Sequence, residues 1–441
     1  MLTTTLTGTI RPGTPDWLYL PVEVPPGVNR IDVTYTYDGP GNACDIGIFG
    51  PDGHELGNAR GFRGWSGGAR TAFSLSASDA TPGYLPGPIT PGTWHVILGP
   101  YTVAPGGLHY AVTTTLTFGP PGPGCPPNPA PTSAPARERG RSEYRGDAHL
   151  HTVYSDGQRT PDELVADAGA AGLDFIVSTD HNTSSSTLRW GDHATDDLLI
   201  CNGEEVTTRS GHWPAIGLPP GHWIDWRYRT PTDFRRFADE VHDLGGLVTA
   251  AHPFADCLGC GFGFPYDLVD LVEVWNGRWT ADDQQTLDHW DGMLREGHWI
   301  PAIGNSDAHS HDQLVGLPHT VVLADSLSRD ALMAGLRAGR SWLAESSTVD
   351  LTFTAGRTTG IGERLAVSGD TPVQIDVAVS GAPGTTVSIL DQRGVRHAET
   401  VAAMLWTTCP RDSQWVRAEV RRPSGAMVAR TNPIFLGVNG C

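Results

Sequence analysis

A chain of 441 residues is longer than one ordinary hydrophobic core, and at roughly 100 to 200 residues per domain it predicts two to four domains. With 39% hydrophobic and 18% charged residues, 54 glycines and 35 prolines, the composition excludes disorder throughout and suits a soluble chain of turns and short strands. The formal net charge of −19 opposes polyanions and no basic patch offsets it, so no nucleic-acid partner is expected.

No stretch approaches the ~20 apolar residues of a membrane helix, so no membrane span is expected. The opening MLTTTLTGTI lacks the basic and apolar regions of an export signal, which reads as cytoplasmic, or as secreted if a signal has been removed. Seven cysteines, at positions 44, 125, 201, 257, 260, 409 and 441, form no disulfide framework. Cys257 and Cys260 make one CxxC with no second pair at zinc-ribbon spacing. They read as reduced or locally paired structural thiols rather than metal or redox groups.

Residues 1–118 alternate runs rich in Val, Ile, Thr and Tyr (RIDVTYTYDGPG, CDIGIFGPDG, TWHVILGP, HYAVTTTLTF) with turn clusters, which predicts a β-sandwich of jelly-roll type without a catalytic grouping. Residues 119–143 begin GPPGPGCPPNPAPTSAPA, too poor in large apolar groups to pack a core, and read as a stiff extended linker. Residues 144–345 alternate short apolar strands with capped helices, the pattern of an α/β domain with a largely parallel sheet or barrel. Thr160-Pro161-Asp162-Glu163 supplies an N-cap, a first-turn proline and a capping-box carboxylate, with Gly172 at the stop. Thr230-Pro231-Thr232-Asp233 repeats it, and Thr280 and Ser328 cap two further helices. Residues 346–441 return to Thr/Val alternation and predict a second small β-sandwich.

Thirteen of the 17 histidines lie between Tyr144 and Thr320. Most of those that matter sit at strand carboxyl ends, where the loops of barrels and open α/β sheets converge to build active sites. The first strand ends in Asp147-Ala148-His149-Leu150-His151, whose two-residue spacing puts both imidazoles on one side, able to share an ion. The next ends in Asp180-His181, the third in Glu204-Glu205, and the fourth opens at His212. The fifth ends in His252-Pro253, the sixth carries Glu273 and Asn276, and the seventh ends in Asp307-Ala308-His309. Ligand-type residues at every strand end of one sheet predict a metal cluster. Imidazole and carboxylate donors without cysteine suit Zn²⁺, Mn²⁺ or Fe²⁺. A carboxylate shared between two ions can hold a hydroxide between them, which is hydrolytic machinery.

The ordered set HLHTVYSDG, TDHN, GEEVT, GH, AHPF, VEVWNG and SDAH resembles the PHP (polymerase and histidinol phosphatase) metallohydrolases over residues 144–345, and within them the CehA/McbA-like branch. The resemblance implies a distorted (β/α)7 barrel and two or three divalent ions. His149, His151 and Asp307 would hold one, Glu205 would bridge it to a second held by His212 and His252, and His181, His309 and Asp156 would hold a third. Asp156 stands where many members have histidine, and of the glutamate pair the pattern favours Glu205 over Glu204. Glu273 and Asp180 would orient imidazoles.

The family's usual chemistry implies a phosphoesterase for a small phosphate monoester or diester, attacked in line by the bridging hydroxide. Arg209 and Arg278 are candidates for phosphate oxygens, and His309 or His181 for protonating the leaving oxygen. The loop from Phe254 to Tyr266, with Trp226 and Trp275, would wall the pocket or pack the core. Two rival readings are a carboxyl or carbamate ester hydrolase on the same cluster, and a catalytically inert metal-binding protein whose sandwiches bind a glycan or partner.

Overall fold

The computed structural model describes residues 1–438; Cys441 and the end of the second predicted sandwich lie outside them. At the N-terminus, period-two alternation turns Ile31, Val33 and Tyr35 of the strand Val28–Tyr37 inward and Thr34 and Thr36 to solvent. That strand belongs to one four-stranded antiparallel sheet, with Leu2–Ile10, Leu108–Phe118 and Ala72–Ser76. Leu18–Val24, Gly92–Thr102, Ala43–Phe49 and Phe62–Gly67 form a second. A shared core that includes Ile31, Val33, Ile46, Trp94 and Val96 lies between them.

The proline-rich segment that follows is irregular apart from one 3-10 turn, Pro135–Arg137. It does not run free. Asn128 exchanges backbone hydrogen bonds with Leu188 and Gly191, and the Ala136 amide donates to Asp196, strapping it to the central domain.

The central sheet runs, in spatial order, Ala302–Asn305, Leu271–Asn276, Leu247–Ala250, Gly211–Ile216, Leu199–Thr208, Phe175–Ser178, Ser142–Asp147, His319–Ala324 and Ser341–Ala344. Four α-helices accompany it among the described residues: α1 (Pro161–Ala170), α2 (Pro231–Asp243), α3 (Ala281–Arg295) and α4 (Arg329–Arg337). Their starts follow the sequence. Thr160 and Glu163 close the capping box of α1, the Thr230 and Ser328 side chains accept from the amides of Asp233 and Ala331, and the Thr280 amide and hydroxyl both donate to the Asp283 carboxylate.

In place of the expected distorted (β/α)7 barrel, the sheet forms a half-barrel. Leu199–Thr208 turns back through Arg209 and Ser210 into the antiparallel Gly211–Ile216, so no helix separates them. Where closure would fall, between Ala302–Asn305 and His319–Ala324, the Thr320 hydroxyl replaces a ladder, accepting from the Gly304 amide at 3.0 Å and donating to the Gly304 carbonyl at 2.8 Å. Asn432 covers the same edge, its amide side chain exchanging two bonds with the Ala302 backbone.

The C-terminal strands do not stand apart. Ser341–Ala344 pairs antiparallel with Met427–Thr431, so the central sheet continues through Trp415–Arg421 and Thr386–Asp391 to the edge strand Gly394–Glu399. A three-stranded sheet (Asp350–Ala355, Val373–Ser380, Ala403–Thr408) faces this extension over a core to which the central domain contributes Val321, Trp342 and Ala344.

The N-terminal sheets are docked on the central domain equally firmly. Phe62 stacks on Trp223 with ring centroids 4.1 Å apart, and Trp65 packs on Trp226 at 4.6 Å. The buried Arg227 binds Asp225, the Tyr19 hydroxyl and the carbonyls of His54 and Glu55.

Candidate metal centre

Donors come from the ends of Ser142–Asp147, Phe175–Ser178, Leu247–Ala250 and Ala302–Asn305 and from the hairpin Leu199–Thr208/Gly211–Ile216, while Leu271–Asn276 supplies the supporting Glu273. The backbone bends sharply to do so: of the four non-glycine residues with positive φ among those described, His252 (25°) and Asp307 (49°) are candidate ligands and Asn182 (54°) follows another. Such left-handed conformations cost of order 1–3 kcal/mol each and persist where their surroundings over-determine them.

Three groups of donors form, each with its ligand atoms within 4.8 Å of one another: His149, His151, Glu205 and Asp307; Glu205, His212 and His252; and His151, Asp156, His181 and His309. In the first, the Nε2 atoms of His149 and His151 lie 3.2 and 3.3 Å from Glu205 Oε2, and 3.3 and 3.0 Å from Asp307 Oδ1. In the second, His212 Nδ1 and His252 Nε2 lie 3.1 and 3.3 Å from the other Glu205 oxygen. The Glu205 carboxylate therefore stands between two donor groups. The third is more open: Asp156 Oδ1 lies 3.6 Å from His181 Nε2 and 3.4 Å from His309 Nε2. His151 belongs to both the first and the third group.

The electrostatics are those of a cation site. Burial pushes the Glu205 carboxyl up, but His181, His149 and His212 outweigh it and hold it well below the usual carboxylate range. Burial likewise opposes ionisation of Asp307, and His149, His151 and His309 overcome it. His149 Nε2, His151 Nε2, Glu205 Oε2 and Asp307 Oδ1 are all buried without a hydrogen-bond partner. Four converging polar atoms left unpaired cost about 1–3 kcal/mol each, so this donor set fits divalent ions.

A hydrogen-bonded layer supports the donors. Glu273 accepts from His149 Nδ1 and from the amides of Asn276 and Asn305, while Asn276 also donates to Asp307 Oδ2 at 3.2 Å. Asp180 reaches His151 only indirectly: it accepts from the Ser155 hydroxyl, which lies 3.4 Å from His151 Nδ1. Glu204 points to the opposite face of its strand, where one oxygen accepts from the Ile224 amide and burial raises its carboxyl well above the usual range.

Outside the cluster the outcomes are mixed. Arg209 and Trp226 line a 450 Å³ cavity whose floor includes Asp156, His181 and His212. Arg278 is exposed and stands apart from both the cluster and that cavity, and Trp275 is buried in the core. In the loop after His252, Cys257 and Cys260 are joined as a disulfide, and Leu258 reaches the cavity rim. The cavity's other wall is what the sequence reading missed. Asp45, Trp65 and Tyr101 come from strands of the N-terminal sheets and Trp17 from the irregular segment just before Leu18–Val24, where nothing local marks them out.

No family model matches the chain. Over 150 residues, 33% of its length, it is 32% identical to an error-prone DNA polymerase of Mycobacterium bovis, and the match spans only 13% of that polymerase. Among solved structures it is similar to a two-domain protein from Bacteroides vulgatus containing a predicted PHP-like metal-dependent phosphoesterase (15% identity, 66% of this chain and 95% of that one, TM-score 0.38). It is also similar to an amidohydrolase from Chromobacterium violaceum (18% identity, 39% and 89%, TM-score 0.28). Overlaps of that extent carry no argument about activity. The ordered motifs and the donor groups they form make the central part of this chain similar to the PHP metallohydrolases.

Proposed function

We propose that the protein is a metal-dependent hydrolase, and specifically a phosphoesterase for a small phosphate monoester or diester, of the CehA/McbA-like branch. The observation that carries this is the convergence of four buried, unpartnered donor atoms from His149, His151, Glu205 and Asp307. His149, His151 and Asp307 would hold one divalent ion, Glu205 would join it to a second held by His212 and His252, and His181, His309 and Asp156 would hold a third. When bound, such ions supply Lewis acidity that polarises an ester and acidifies water.

The chain's own residues do the rest. Glu273 accepts the Nδ1 proton of His149 and so turns Nε2 inward as a lone-pair donor. Where no third ion is held, His181 and His309, whose Nε2 atoms are 3.4 Å apart on the open side, would be free to give a proton to the departing oxygen. The surrounding walls, drawn from both domains, restrict water around the bound ester.

Elemental analysis of the purified protein, with hydrolysis of phosphomonoesters, phosphodiesters and carboxyl or carbamate esters, tests this reading. Two or three metals per chain and phosphoester cleavage lost in both His151→Ala and Asp307→Ala are the expected results. Cleavage restricted to carboxyl or carbamate esters would replace the phosphoesterase reading. A metal-loaded protein inert to every class would leave the binding-protein reading.

A further inference from the structure

Arginines that join the N-terminal sheets to the central domain are satisfied, with one exception. Arg227 is fully engaged, and Arg229 forms a bidentate pair with Asp16. Arg209, at the tip of the hairpin that carries Glu205 and His212, leaves Nε and Nη2 buried without a partner. Its guanidinium lies over the rings of Tyr101, at 3.9 Å from the centroid, and Trp17, at 5.2 Å. Asp45 lines the same cavity without satisfying those two nitrogens.

A planar fork held by two aromatic faces with donors to spare is the arrangement that receives a carboxylate or phosphate. The scissile ester is not the obvious occupant. Arg209 follows Glu205 by four residues, about 13 Å of extended strand, and stands about two residues, roughly 7 Å, beyond the level of His212, so its guanidinium is offset from the Glu205 centre of the donor cluster. The 450 Å³ cavity spans that interval, from His181 and His212 to Trp17 and Tyr101, and is large enough for a small ester.

We propose that Arg209, fixed against Trp17 and Tyr101 of the N-terminal domain, binds a second anionic group, carboxylate or phosphate, carried by the organic part of the substrate. The N-terminal domain is then a wall of the active site that sets specificity. Trp65 and Trp226, 4.6 Å apart, face the flat or apolar body between the two ends. This inference rests on the hydrolase reading for its substrate, but not for its binding event.

The test uses the full chain, metal-loaded, with phenyl phosphate, 4-carboxyphenyl phosphate and 1,4-phenylene bisphosphate, reading released phosphate. The wild type is expected to favour at least one charged ester by tenfold or more in kcat/KM, mainly through KM, and the better one identifies the anion. Arg209→Gln brings the ratio near one, Arg209→Lys restores part of it, and Asp45→Asn, which removes an opposing carboxylate, raises it.

Saturation-transfer NMR with metal-free protein compares 4-hydroxybenzoate, 4-hydroxyphenyl phosphate and phenol. Binding of at least one of the two anions, beyond that of phenol and weakened about tenfold in Arg209→Gln, supports the site even if no ester is cut. Ester cleavage with a charge preference indifferent to Arg209, or equal binding of both anions and phenol, overturns the inference while leaving the hydrolase standing.

Discussion

Glu273 and His149 face each other in full burial, with His149 Nδ1 3.1 and 3.2 Å from the two Glu273 oxygens. The same carboxylate accepts from Asn305 Nδ2 on one oxygen and from Asn276 Nδ2 and the His252 amide on the other. Every group around it is a donor. In Glu273→Gln the amide nitrogen must therefore meet an N–H whichever way it turns, and His149 loses its orientation. Metal affinity should fall roughly 10- to 100-fold, measured by competition with a chromogenic chelator. Wild-type affinity in the variant would remove Glu273 from the support of the cluster.

Adjacent glutamates should behave oppositely. Glu205 stands between the two donor groups, whose histidines hold its carboxyl well below the usual range, while Glu204 is buried behind the strand and burial pushes its carboxyl well above it. Glu204→Gln keeps an acceptor for the Ile224 amide and removes a carboxyl whose ionisation burial opposes, so stability should change by no more than about 1 kcal/mol and metal content should stay the same. Glu205→Gln should lose both metals it joins. Elemental analysis of the two variants side by side decides it, and equal metal loss would mean that the strand's two faces are not separated as described.

The contrast between those two residues shows what the sequence makes legible. A two-residue period assigns opposite faces to Glu204 and Glu205, and strand ends collect donors, so the HxH pair, His252 and the Asp307-to-His309 segment can be read from local spacing, whereas the choice of Glu205 over Glu204 rests on the resemblance. The half-barrel could not. At the seam between Ala302–Asn305 and His319–Ala324 a side-chain hydroxyl, that of Thr320, takes the place of a backbone ladder, a long-range contact that no local spacing encodes. Nor could the continuation of the sheet into the C-terminal strands, because alternation specifies a buried face but not the neighbour along the edge. Trp17, Asp45 and Tyr101 are invisible for a similar reason: their place in the cavity wall comes from docking, which no short-range pattern encodes.

A tight turn next to a ligand offers a backbone test. A Cβ on Gly157 would lie 2.5 Å from the His151 carbonyl carbon and 2.6 Å from both its oxygen and the Thr152 nitrogen. These are backbone atoms and cannot swing aside, so Gly157→Ala must displace the His151 segment. A loss of about 2 kcal/mol is expected, with a lower metal stoichiometry because His151 serves two donor groups. Thermal unfolding and metal analysis of the variant check both, and an unchanged Tm with full metal would show that the turn yields freely.

His319 makes a pH prediction independent of the metal donors. It is fully buried, its Nδ1 donates to the Gly316 carbonyl at 2.9 Å, and its Nε2 faces Arg145 Nη1 at 2.9 Å. A guanidinium only donates, so Nε2 must accept and the ring must be neutral. Burial, with Arg145 adding to it, pushes the imidazole down to about 4. An unfolded histidine titrates near 6.5, so between those values the unfolded chain binds the extra proton. This contribution to stability is complete above pH 6.5 and is lost as the pH falls toward 4, by roughly 3 kcal/mol at about 1.4 kcal/mol per unit. In His319→Gln, whose carbonyl can still accept from Arg145, that component should vanish. Urea unfolding of both proteins from pH 4.5 to 7.5 isolates it as a difference: the stability gap between them should narrow or reverse toward acid, and parallel curves would mean that His319 is not held neutral.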